Sequence, residues 1–155
     1  MTLPPRFQIA LAAGVILLGS WLPTGATEPV QLITAEEAQL PASSESDGAN
    51  RNITRGPGID AVAPSPVGVK GSFRFAVKFK QRNGVEIDPE DVRVTYLREP
   101  QIDLTSRLKA FITPEGIEAP AVMAPPGEHV IAIEAVDKEG RTGRGQMTLT
   151  VTPEP

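Results

Sequence analysis

Pro125–Val151, PPGEHVIAIEAVDKEGRTGRGQMTLTV, decides how this chain is expected to fold. His129, Ile131, Ile133, Ala135 and Asp137 alternate with Val130, Ala132, Glu134 and Val136. Successive side chains of a strand face opposite sides, so Ile131, Ile133 and Ala135 share one face, which is assigned to the core. The other face is mixed, with Glu134 among Val130, Ala132 and Val136. Asp137-Lys138-Glu139-Gly140-Arg141 supplies the turn, because Asp bonds the backbone two residues on and Gly accepts a positive φ. Met147, Leu149 and Val151 then alternate with Gln146, Thr148, Thr150 and Thr152, a period of two with a Thr-rich wet face. Pro153 has no N–H to donate and ends the ladder. The expectation is a pair of antiparallel strands closing a small all-β domain.

Working outward, Ser72–Gln81 is the strongest strand pattern in the chain. Phe73, Phe75, Val77 and Phe79 share one face; Arg74, Ala76, Lys78 and Lys80 share the other. Three of the five phenylalanines lie here, which places the centre of the core on this face. Val92, Val94 and Tyr96 mark a further strand, reached through a polar connection over Ile87–Asp91. Ile59–Ala63 is a short first strand ended by Pro64-Ser65-Pro66, and Asn83-Gly84 is a turn signal. The predicted core is therefore Phe73, Phe75, Val77, Phe79, Val92, Val94, Tyr96, Ile131, Ile133, Ala135, Met147, Leu149 and Val151. One helical pattern interrupts the strands: Leu104, Leu108, Phe111 and Ile112 fall at i, i+4, i+7 and i+8, with Asp103 or Thr105 as cap and Pro114 as stop. Gly116-Ile117-Glu118 reads as a brief edge strand. Pro120, Pro125 and Pro126 argue against a central strand over residues 119–127.

Pro126-Gly127, His129, Ile131, Ile133, Ala135, Asp137 and Gly140 resemble the closing two strands of bacterial immunoglobulin-like, cadherin-like and fibronectin III-like modules. The wider run from Ile53 to Val151 is similar to small proteobacterial periplasmic proteins. The resemblance implies a single immunoglobulin-like antiparallel β-sandwich over residues 58–152 with one short helix. It says almost nothing about a ligand.

The 155-residue length suits one domain. Arg6 is the first charge and none follows before Glu28; Ile9–Leu22 is apolar apart from Gly and Ser, and small residues end at Ala26. That order is a signal peptide over residues 1–26, cleaved after Ala26, with an uncleaved anchor as the alternative. The apolar run of 14 residues is shorter than the roughly 20 a spanning helix needs. The expected location is periplasmic or secreted, with no stable membrane span after cleavage. The absence of cysteine rules out a cysteine lipid anchor and a disulfide framework. The net charge of −4 becomes −5 without Arg6, which argues against nucleic acid and anionic membranes as partners. Lys70, Arg74, Lys78, Lys80 and Arg82 read as the wet face of one strand in preference to an anion-binding patch.

Residues 27–57 hold prolines and a Ser/Glu/Asp/Gly run, and are expected to be a disordered tail. Within them residues 34–40 form a short helix pattern, with Thr34 as N-cap and Glu37 at capping-box spacing. Ile33, Glu36, Glu37 and Leu40 are its candidate docking residues, against a partner or against the chain's own domain. Asn52-Ile53-Thr54 matches a glycosylation pattern and is read as idle.

No catalytic constellation emerges. His129 is the only histidine and has no nucleophile motif beside it, although Ser72 and Ser106 are available residues; a structural role at the strand entry is preferred. A single histidine and no cysteine disfavour zinc. Asp88, Glu90 and Asp91 lack the further oxygens that calcium requires. No cofactor is expected. The chain is expected to be a non-enzymatic envelope module binding another envelope protein. A carbohydrate-binding module is the alternative, and a small hydrolase using His129 the remote one.

Overall fold

The computed structural model describes residues 28–44 and 55–155. The assigned signal peptide, its cleavage site and Asn52-Ile53-Thr54 lie outside the described residues. Among the described residues no helix is long and apolar enough to cross a membrane.

The chain is all-β, with two facing sheets. In chain order its elements are β1 (Val30–Gln31), α1 (Ala35–Ala38), β2 (Gly58–Ala63), β3 (Phe73–Lys80), β4 (Ile87–Tyr96) and β5 (Ile102–Asp103). Then come α2 (Thr105–Leu108), a 3-10 turn (Lys109–Phe111), β6 (Ile112–Thr113), β7 (Gly116–Met123), β8 (Gly127–Asp137) and β9 (Thr142–Val151). The first sheet runs β1-β7-β3-β2, with β6 also on β7; the second runs β5-β4-β8-β9.

The apolar alternation places the core between the sheets. Phe75, Val94, Tyr96, Ile131, Ala135 and Leu149 have no exposed surface, and Phe73, Val77, Phe79, Val92, Ile133, Met147 and Val151 are buried. Asp137 makes the turn between β8 and β9 as its chemistry suggests. Its Oδ1 accepts the Glu139 N–H at 3.0 Å and the Arg141 N–H at 2.9 Å, and Gly140 has φ +76°.

Four local expectations need correction. β4 begins at Ile87, which is fully buried, so Ile87–Asp91 is strand with a register shift against β8. β7 extends to Met123, through Pro120, with β3 on one side. Pro120 fits because β6 pairs only with Gly116–Ile117 and β1 only with Val122–Met123, while the register against β3 shifts between Ala119 and Val122. The helix over Leu104–Ile112 is shorter, because Ile112 leaves it to pair with Ile117.

The fourth correction concerns the tail. Residues 28–44 form a strap over one side of the two sheets. β1 pairs in parallel with β7, and at the far end Ala42 bridges Arg98 just beyond β4. Leu32 and Ile33 have no exposed surface and join the core. Burial of two such side chains contributes about 2–3 kcal/mol each in transfer free energy, one part of what offsets the cost of ordering the segment. Gly56 and Pro57, ahead of the expected boundary at Gly58, are buried too.

The opposite side closes where the entry to β2 crosses β9. A Cβ on Gly143 would overlap the Pro57 carbonyl, and one on Gly145 would lie 2.9 Å from Ile59 Cγ2. Farther along, Val69 donates its N–H to Thr150 O at 2.9 Å and accepts that of Thr152 at 2.8 Å.

Candidate interaction surface

Among the described residues, four places bear on function through polar chemistry or exposed apolar surface. The first is the corner around His129, at the start of β8 and 1% exposed. Its Nε2 lies 2.8 Å from the Pro125 carbonyl, so Nε2 carries the proton and donates it. Nδ1 then accepts the Tyr96 hydroxyl, 2.8 Å away. Arg98 Nε donates to the Tyr96 oxygen at 2.7 Å, and the guanidinium carbon stands 5.0 Å from the ring centroid. Burial foremost holds the imidazole below its ordinary value; the Pro125 carbonyl opposes this and the charge of Arg98 adds to it. Both ring nitrogens are occupied, so neither is available to activate Ser72 or Ser106. This arrangement fixes the corner where β8 begins.

The second place is the strap. Arg107 of α2 forks onto Glu37, with NH2 to Oε1 at 2.6 Å and NH1 to Oε2 at 2.8 Å, and NH1 also reaches the Leu32 carbonyl at 2.6 Å. Thr34 and Glu37 complete a capping box. The Arg107 hydrogen bonds hold the Glu37 carboxyl at about 2. Of the residues proposed for docking, Ile33 is buried in this chain's own core, Glu37 is bound to Arg107, and Leu40 gives its carbonyl to Arg98 at 3.3 Å. Glu36 alone of the four is exposed.

The third place is a cleft of about 310 Å³ at the β2–β9 crossing, lined by Gly56, Ile59, Lys80, Arg82 and Arg144 among others. Lys80 pairs with Asp60, and Arg144 pairs with Glu134 at 2.8 Å. Arg74, from the same basic row, pairs with Glu118. The row is thus a solvated strand face threaded with ion pairs. Asp88 accepts the Glu90 N–H at 3.0 Å within the irregular first half of β4. Among the described residues no group of three or more His, Asp or Glu side chains is gathered for a metal.

The fourth place was not singled out as a site by the sequence reading. β2 is the terminal strand of the first sheet. Its second half and the following loop, Ala61-Val62-Ala63-Pro64-Ser65-Pro66-Val67, form an apolar rim. Val62 is 53% exposed and Val67 89%. A register shift against β3 falls between Ala61 and Ala63, which turns Val62 outward. The run of apolar residues was legible, but strand order, which makes it an edge, was not.

No protein family, curated protein or solved structure was found to match this chain.

Proposed function

We propose that this chain is a non-catalytic exported module that binds a protein partner of the cell envelope. The observation that carries the reading is the β2 edge, where Val62 stands exposed on a strand with one side unpaired in its sheet and Val67 stands exposed on the turn that follows. A sheet edge offers backbone hydrogen bonds to an extended segment, and apolar side chains along it supply the rest of the grip. The order of charged, apolar and small residues in 1–26 supports export, and the immunoglobulin-like resemblance supports a binding role. The strap residues are occupied within the fold, which favours the edge over the 32–40 peptide as the gripping element. Against a glycan partner stands the aromatic inventory: Tyr96, Phe73, Phe75 and Phe79 are buried and Phe111 is half-buried, leaving no aromatic platform among the described residues.

The test is site-specific photocrosslinking in the native host, with the probe at Val62 in one strain and at Thr148 on β9 in another. The expected result is one envelope protein captured from Val62 alone, and lost when Val67→Lys is added. Capture of the same proteins from both positions, or of none from Val62, refutes the reading.

A further inference from the structure

The hydrogen bonds at the His129 corner run on into the strap. Arg98 has all three guanidinium nitrogens in use: Nε on Tyr96, NH1 on the Leu40 carbonyl at 3.3 Å, and NH2 on the Glu128 carbonyl at 3.2 Å. The backbone beside it holds the same part of the strap. Ser43 donates to Leu97 O at 3.3 Å and Glu99 donates to Pro41 O at 3.0 Å. A buried imidazole is therefore three hydrogen bonds from the segment that closes this side of the sheets.

We propose that His129 and Arg98 form an acid-sensitive latch, in which protonation of the imidazole frees the Leu40–Ser43 half of the strap. This goes beyond the proposed function and stands independently of it. With the ring neutral, the chain of donors is balanced: Arg98 donates to Tyr96, Tyr96 to Nδ1, and Nε2 to Pro125. A proton on Nδ1 turns that acceptor into a donor. The Tyr96 oxygen then faces two donors, and its own hydrogen loses its acceptor in a buried site. Arg98 is the half-buried member of the chain, so it is the one that yields, and its bond to Leu40 goes with it.

Among the described residues, the surroundings offer a new proton no anion. From β4 the ring meets Tyr96 and the cation of Arg98; from β9 its register partner is Leu149; from the preceding loop it meets only the Pro125 carbonyl. The Glu128 side chain alternates to the exposed face. The folded state therefore favours the neutral ring. The stability this contributes is present above the ordinary value of 6.5 and is lost as pH falls below it toward the lowered one. Glu37 keeps its charge through that window, because its carboxyl titrates at about 2. The Leu32–Glu37 half thus stays fastened to Arg107, and the strap hinges open from its far end.

The experiment combines amide hydrogen exchange with an NMR titration of the His129 ring between pH 7.5 and 4.5, on protein purified from its host. The expected result is loss of protection at Ser43 and Glu99, beyond the change in intrinsic rate. The loss is about tenfold for each unit by which the ring is depressed, with the ring's own midpoint. The Leu32 amide, bonded to Met123 O at 2.8 Å, keeps its protection, and His129→Gln removes the pH dependence. Four results overturn the proposal: a ring that never titrates in this range, strap amides indifferent to its titration, a strap midpoint different from the ring's, or an unchanged pH response in His129→Gln. If that variant does not fold, the comparison of midpoints in the unaltered protein decides alone.

Discussion

Replacing Glu37 with Gln tests whether the strap is part of the folded domain. The Glu37 carboxylate takes both terminal nitrogens of Arg107 and, at 2.9 Å, the Thr34 N–H. Its value falls from 4.5 to about 2. At 1.36 kcal/mol per unit the full gap corresponds to about 3.4 kcal/mol. Glu37 and Arg107 side chains are 17% and 29% exposed, and solvent screening of such a pair lowers the figure to about 1–2 kcal/mol. Gln keeps one acceptor oxygen and the same bulk, so the loss is chiefly that of charge. A carboxyl depressed on folding contributes stability that is complete above its ordinary value of 4.5 and is lost as pH falls toward about 2. The gap between native protein and Glu37→Gln is therefore expected to be constant from pH 7 to about 5.5 and to close between 4.5 and 2. Urea unfolding followed by far-UV circular dichroism at several pH values measures it by linear extrapolation. A gap under about 0.3 kcal/mol at pH 7, or one that does not narrow in acid, refutes the claim that this ion pair fastens the strap.

Four further substitutions use the same assay. Ile33→Ala is expected to cost about 2–5 kcal/mol and Phe75→Ala about 3–5 kcal/mol, since both side chains are fully buried; an Ile33 variant within about 0.5 kcal/mol of native would place the strap outside the core. Gly143→Ala is expected to destabilise by at least about 2 kcal/mol, because the added methyl overlaps the Pro57 carbonyl. Gly140→Ala, with no atom within 4 Å of the added carbon, separates backbone strain from crowding and is expected to cost less.

The two-sheet core was legible because each sheet buries one face, so that Phe73 to Phe79 and Met147 to Val151 print the period of two directly on the sequence. Features set by remote partners were harder to read. Leu32 and Ile33 are adjacent, and both are buried because the chain leaves β1 and turns into α1 between the sheets; consecutive apolar residues carry no strand period. The capping box at Thr34 and Glu37 was visible, but its meaning depends on Arg107, far along the chain. Pro120 misdirected the reading of β7, since the gap between β6 and β1 that accommodates it is a property of the assembled sheet. Gly143 and Gly145 were visible as glycines in a hairpin; their reason, the crossing of Pro57 and Ile59, is a tertiary contact. The His129 corner was placed correctly at a strand entry, while its continuation through Arg98 into the strap depended on an ordered tail.

The parallel pairing of Val30 with Val122 also bears on how the chain reaches its native state. The strap is synthesised before either sheet, and Val122, its partner on β7, follows Val30 by about 90 residues. At roughly 5–20 residues per second of synthesis, Leu32 and Ile33 remain uncovered for seconds after they emerge. Pairings this distant in sequence close late, because the loop entropy must be met before the contact forms. The separation predicts that the strap docks late, after the sheets it closes. In that interval the apolar pair is available to a chaperone, and a strap from a neighbouring copy competes for the same place on β7.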